Sequence, residues 1–222
     1  MHVEPPKAHL MSLSEFGLHY VMILLSILTA IGLEEGLRTY HDHEAAHTAQ
    51  QTIERELLTN LSDLRDAMKL NHDRLDILQK LGNDLAEDIR HSQNAEALKK
   101  KLVEEYIPKL TIGLMLPSQS HQAWDVAVSS QAAVHIPRDK LEAYTAAYTI
   151  EHDALGGANS AMLLLDAPRV VDFQADAEIG FADPKRFLEV LREAKAINAV
   201  GLSNLTTAEQ EMVKVLDKAG VH

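Results

Sequence analysis

The chain has 222 residues, 46% of them apolar, enough for one folded domain or two small ones beside an anchor and too apolar for a disordered tether. A formal charge of −12 leaves no excess of Lys and Arg to neutralise phosphates, which argues against a nucleic-acid partner. The absence of cysteine excludes disulfides, thiolate metal sites and a Cys nucleophile, and 5% aromatics with abundant Leu and Ala favours helix over sheet.

Residues 1–15 form a short tail with one Lys and two His before Glu15, too weakly basic for a signal-peptide n-region. Phe16 to Leu33, FGLHYVMILLSILTAIGL, contains no Asp, Glu, Lys or Arg. As a helix it spans ~27 Å, close to the thickness of a bilayer's hydrocarbon core. No small-x-small cleavage site follows, so the reading is a retained transmembrane helix over 16–33, in contact with membrane lipid. His19 lies near its start, where it can reach the interface beside Tyr20. Lys7 precedes the span, whereas Glu34 and Glu35 follow it and Arg38 comes three residues later. That slight bias puts the N-terminus in the cytoplasm and, in a bacterial inner membrane, the bulk of the chain in the periplasm. Gly32 and Gly36 form a GxxxG that lets two helices approach closely.

No Pro interrupts the chain between Pro6 and Pro108, and Gly82 is the only Gly between Gly36 and Gly113. From Leu57 a heptad seam runs through Leu61, Leu64, Met68, Asn71, Leu75, Leu78, Gly82, Leu85 and Ile89, with charged residues on the other faces. The pattern predicts a long helix from Ser14 to about Arg90, with residues 34–92 as a coiled-coil-like stalk and a weak point at Gly82. Asn71 is the polar seam position that can fix register or partner number. Such a helix must be covered by downstream helices or by a second copy, so a homo-oligomer or another protein partner is expected.

Residues 93–222 are expected to be a helical bundle domain. A helix is predicted from Asn94 to Ile107, followed by a connection over Pro108–Ser120. The next helix is capped by Ser118 or Ser120 and runs to Val134, with Trp124 as a packing anchor. Another follows Pro137, from Arg138 to Leu165, with Leu141, Tyr144, Thr145, Tyr148 and His152 on one face and a kink at Gly156-Gly157. Ala167–Ala182 reads as an acidic loop. Asp183-Pro184 opens a last helix that continues, or restarts at Thr206 or Thr207, and stops at Gly220. No period-two pattern persists, and the fold class is all-α.

His43-Glu44-Ala45-Ala46-His47 matches HExxH, in which two His one helical turn apart hold zinc and the Glu activates its water. With 12 His in the chain, such a match arises by chance in about one sequence in twenty of this composition. A third ligand would have to come from residues such as Glu151, His152 or Asp153, and neighbours on a helix point in different directions, so these three read as a solvated face. The match therefore reads as a coincidence within a polar, His-rich belt at the membrane surface. Neither a cofactor nor catalysis is expected; the alternative is zinc held by His43 and His47, with Glu44 as base of a hydrolase.

The span and its His-rich exit (FGLHYVMILLSILTAIGLEEGLRTYHDHEAAH), the ERELLTN stretch at Glu54–Asn60 and the AWDVA stretch at Ala123–Ala127 together resemble a loose group of bacterial single-span membrane proteins with a helical extramembrane domain. The resemblance covers the chain to about Leu155 and brings no catalytic residues with it. It implies an inner-membrane helical interaction or scaffold protein; a sensor-like ligand-binding bundle is the second expectation.

Overall fold

The computed structural model describes residues 13–163 and 167–222; most of the tail, including Lys7, and the expected end of a helix at Leu165 fall outside them. Every regular element among the described residues is helical. Helix α1 (Leu13–His91) is followed by α2 (Ala95–Lys101), α3 (Gln122–Ser129), α4 (Arg138–Leu163), α5 (Ala167–Glu178) and α6 (Pro184–Lys218).

Helix α1 is 79 residues long, about 118 Å at the ordinary rise. It is unbroken at Gly82, because a lone Gly costs a helix only about 1 kcal/mol and packing on both sides of it offsets that. None of its apolar segment is buried, and Ala46 is the first buried residue among those described. From there α1 is the spine of a bundle. Helix α6 runs antiparallel to it, with Arg65 paired to Glu209 at 2.8 Å and Lys195 bonded to Gln79 further out. Helix α4 runs parallel to α1, so that Tyr144 meets Glu54 and Glu151 meets Asn60.

The heptad seam is thus covered by helices of the same chain. Leu57, Leu61 and Leu64 lie in a cluster with Ala147, Tyr148, Leu205 and Met212. Leu78 and Leu85 lie in a second cluster with Leu102, Phe173, Phe187 and Leu191. Each fully buried Leu or Phe contributes roughly 1.5–3 kcal/mol, so these clusters hold the bundle together. Met68 packs at the edge of the first cluster and Leu75 is half-buried.

Several elements depart from their sequence readings. The stretch read as a loop over Ala167–Ala182 is helix α5 for most of its length; Val170 and Phe173 are buried in the second cluster, and Phe173 stacks on Phe187 at 5.0 Å. Its acidic residues occupy the outer face. Helix α4 continues through Gly156-Gly157, where Gly157 lies against Asn204 of α6. Helix α6 does not restart at Thr206 or Thr207. It opens as expected, with the Asp183 carboxylate accepting from the Lys185 N–H at 2.9 Å. It closes in a Schellman motif: Gly220 has φ +71°, and the Val221 and Gly220 N–H groups donate to the Leu216 and Asp217 carbonyls. The helix expected from Asn94 to Ile107 is α only to Lys101. A π turn over Leu102–Tyr106 then directs both Leu102 and Tyr106 inward, and the Tyr106 hydroxyl donates to Asp88 at 2.6 Å.

The connection from Leu110 to His121 is an extended strap lying against α1. Asn71 grips it at Met115, accepting from its N–H and donating to its carbonyl, both at 2.7 Å. Asn60 treats Ser120 in the same way, at 3.1 and 3.0 Å. Eleven helical residues rise about 16.5 Å, and five extended residues cover about the same distance, so the two clips are in register. Beside them, Leu114 seats on Gly201 of α6, where an added Cβ would lie 2.4 Å from the Leu114 methyl.

Replacing Asn71 separates this arrangement from a two-chain coiled coil. Asn71→Leu should lower stability to urea by about 1–3 kcal/mol, because two strap backbone groups lose their partner. In a coiled-coil seam the same change would raise stability.

Candidate functional site

The greatest concentration of chemistry among the described residues lies where α1, the strap, α3 and α4 meet. Glu54 and Glu56 leave α1 on the side facing α4. Glu54 accepts from the Tyr144 hydroxyl at 2.5 Å and from the Lys140 ammonium at 2.6 Å. Glu56 accepts from the hydroxyls of Tyr148 and Ser120, each at 2.6 Å, and from the Ala123 N–H at 3.0 Å. It thereby caps α3 from another helix. Neither Ser118 nor Ser120 is the N-cap residue; that position is His121, whose side chain makes no capping bond. The helix expected to reach Val134 ends at Ser129, and after Gln131 at φ +63° a short 3₁₀ turn covers Ala132–His135.

Two Tyr side chains of α4 are drawn inward by these acids. Tyr144 and Tyr148 are buried, whereas Leu141 is half-buried and Thr145 and His152 are exposed, so the face proposed from sequence is rotated in the structure. The ring of Tyr148 lies between His121, 4.8 Å away, and Trp124, 5.7 Å away.

Glu151 overturns its sequence reading. It is not on a solvated face: the residue is 2% exposed. One carboxyl oxygen accepts from the Asn60 amide at 3.0 Å and the other has no protein partner, while the Glu151 carbonyl accepts from Gln119. His152 and Asp153 point outward, as helical geometry requires of adjacent residues.

The environments of these acids drive their acidities apart. Burial pushes Glu151 up to about 7; the Asn60 bond opposes this and the charge of Glu56 adds to it. Burial also pushes Glu56 up, but its bonds from Ser120, Tyr148 and the α3 backbone outweigh it and hold the group below the usual carboxylate range. Glu54 is likewise lowered: bonds from Lys140 and Tyr144 overcome its burial, and the charges of Lys140 and His47 add to them. The two tyrosines are raised by burial and by the carboxylates they serve.

Nearer the apolar segment, α1 and α3 diverge around a groove of about 790 Å³ lined by His41, Glu44, Ala45, Ala49, Val126 and Ala127. His43 and His47 are exposed on α1, and Glu44 lies on the wall of this groove. Among the described residues, no group of three or more His, Asp or Glu stands together as a metal-holding set. Gly32 and Gly36 lie on the uncovered part of α1, with nothing in contact distance of either. Trp124 is half-buried against Tyr148. No protein-family model matches the chain, and no curated protein or solved structure is similar to it.

The sequence reading placed the connection over Pro108–Ser120 but missed its clips to α1 and the roles of Glu54, Glu56 and Asn60. Its one signal was the pair of asparagines eleven residues apart on an otherwise apolar side of α1.

A pH dependence follows with a definite sign. Glu151 is raised, so its contribution to stability is complete below about 4.5 and is lost as pH rises through about 7. Glu54 and Glu56 are lowered, so theirs is present above the ordinary value and lost as pH falls through their folded values. Urea unfolding should therefore give greatest stability in mildly acidic solution. Glu151→Gln should flatten the alkaline limb, gaining about 1–3 kcal/mol over the native chain near pH 8.

Proposed function

We propose that the protein is a membrane-anchored helical interaction or scaffold protein, with no catalysis, whose bundle is held on a rigid helical extension of its anchor. One observation carries this reading. The apolar segment Phe16–Leu33 is entirely uncovered, yet it belongs to the same unbroken helix that forms the spine of the bundle. Exposing so many large apolar side chains to water would cost more than a bundle of this size can repay, whereas a hydrocarbon layer makes their exposure favourable. A bacterial inner-membrane address, with the bundle on the periplasmic side, is the orientation favoured by the charge flanking the span and by the resemblance in layout.

The bundle's partner in this reading is another protein or a second copy of the chain. With the heptad seam occupied from within, contacts must come from outer surfaces, and one exposed apolar pair lies at the membrane-distal turn between α5 and α6: Ile179 and Phe181, the latter 73% exposed. The sensor-like reading draws its support from the groove between α1 and α3.

Two measurements test the proposal. The full chain should remain with membranes after alkaline carbonate washing, and Leu25→Arg with Leu28→Arg should release it while leaving the helical circular dichroism of the bundle in place. Recovery of the native chain in the soluble fraction would overturn the anchor. For catalysis, zinc analysis of the detergent-purified chain should find no stoichiometric ion. One tightly held zinc that is lost in His43→Ala would replace the interaction reading with the hydrolase.

A further inference from the structure

We propose that Glu151 is a proton-operated latch: protonated, it keeps the strap and α3 docked on α1; ionised, it releases them, and with them one wall of the groove beside the membrane. The placement of the residue carries this. Glu151 is buried at the point where α4 touches both Asn60 and the strap, and Asn60 is shared: its one amide group serves Ser120 and Glu151 together. Four residues before Asn60 on α1, Glu56 caps α3 through Ser120 and Ala123. A charge on Glu151 therefore develops in a dry site whose nearest ionised neighbour has the same sign and holds the segment in place.

The groups that face Glu151 do not supply a counter-charge. From α1 come Glu56, and Glu54 already engaged by Lys140. The strap and α3 offer Gln119, Ser120, His121 and Asp125, with the His121 ring against Tyr148 rather than bonded to the acid. On α4, the Tyr148 hydroxyl donates its hydrogen bond to Glu56, and His152 and Asp153 face solvent. On α6, Glu209 is held by Arg65, while Glu211 lines a separate groove with Ile150. Among the described residues no Lys or Arg pairs with Glu151. A buried, unpaired carboxylate is relieved either by taking a proton or by reaching water. The second route is short, because the strap is the thinnest cover over it and has no hydrogen-bonded ladder of its own.

The weakest element is the one expected to move. Helix α3 has eight residues, too short to persist without its dock, and its wall of the groove is formed by Ala123, Val126 and Ala127. Helices α1, α4 and α6 keep their apolar seams when it leaves. The latch therefore opens one face of the bundle without unfolding it.

Trp124, the only tryptophan, sits on α3 against Tyr148 and reports the event directly. In the full chain in detergent, acrylamide quenching of Trp124 should rise roughly twofold or more between about pH 5.5 and 8.5, with little change in helical circular dichroism. The midpoint should fall near pH 7. Glu151→Gln should stay at the low, docked level throughout, and His121→Gln should keep the transition. A flat native profile, a transition that survives in Glu151→Gln, or loss of the helical signal along with it would each overturn the latch. Independently of any change at Glu151, a nitroxide on Val126→Cys, the sole cysteine in that variant, should become mobile over the same range; a label equally immobile at both ends overturns the proposal.

Discussion

The structure depends on a constraint set by the length of α1. A helix that carries an apolar stripe for a dozen turns cannot leave it in water, and whatever covers the stripe must also deal with the polar residues set into it. Asn60 and Asn71 turn that difficulty into registration. Each amide pairs with both backbone groups of one strap residue, as a neighbouring strand would. A connection with no ladder of its own thus finds partners for groups that would be costly to bury alone. Because the rise of eleven helical residues equals the reach of five extended ones, the clips close together only in one alignment. That alignment fixes where α3 begins, and so where Glu56 can cap it.

The two halves of the bundle solve their packing differently. The half farther from the apolar segment is dry: Phe173 stacks on Phe187, Leu102 and Leu191 fill the space around them, and its main buried hydroxyl, on Tyr106, is satisfied at the edge by Asp88. The half nearer the apolar segment sets small residues such as Ala46, Ala127 and Ala147, which let backbones approach, among Leu57, Leu61, Leu205 and Met212, and it is threaded by carboxylates. Buried acids of this kind hold geometry more than they add stability, since removing one partner leaves the other uncompensated. The dry packing therefore lies away from the apolar segment, and the buried acids near it.

Most of what was legible in the sequence is local. The apolar span, the extent of α1 and the Pro-initiated helices follow from run length, an absence of Pro and cap chemistry, all of which act within a few residues. Asn71 stood out because it interrupted a seam, although its partner proved to be the backbone of Met115, 44 residues away in the chain, rather than a second helix. Helix α5 was hidden by its acidic outer face, despite apolar residues at 170, 173 and 177 in helical spacing. Glu151 was hidden for a deeper reason. Its neighbours His152 and Asp153 are exposed, and although Ala147, Tyr148 and Ala154 share its side of α4 and are buried, a carboxylate among them reads as the edge of a solvated face until the fold brings Asn60 and the strap over it. A cap donated by Glu56 to a helix more than sixty residues away is invisible to any rule that inspects flanking residues.

Between Leu33 and Ala46 the spine crosses a neck with no helix packed against it; cover begins near Asp42, which lies 3.7 Å from His135. About 18 Å of single helix in water is marginal on propensity alone, and Gly36 weakens it further. Leu37 and Tyr40 are exposed along it, and a Tyr beside an apolar residue is suited to the zone between hydrocarbon and water. In the membrane-anchored arrangement proposed above, the neck gains its support from a headgroup layer at one end and from the α3 region at the other. If α3 leaves its dock, the neck loses the second support while keeping the first. In that proposed arrangement, coupling between the bundle's buried acids and the tilt of the domain needs no further hinge, because among the described residues no helix packs on the neck that joins them.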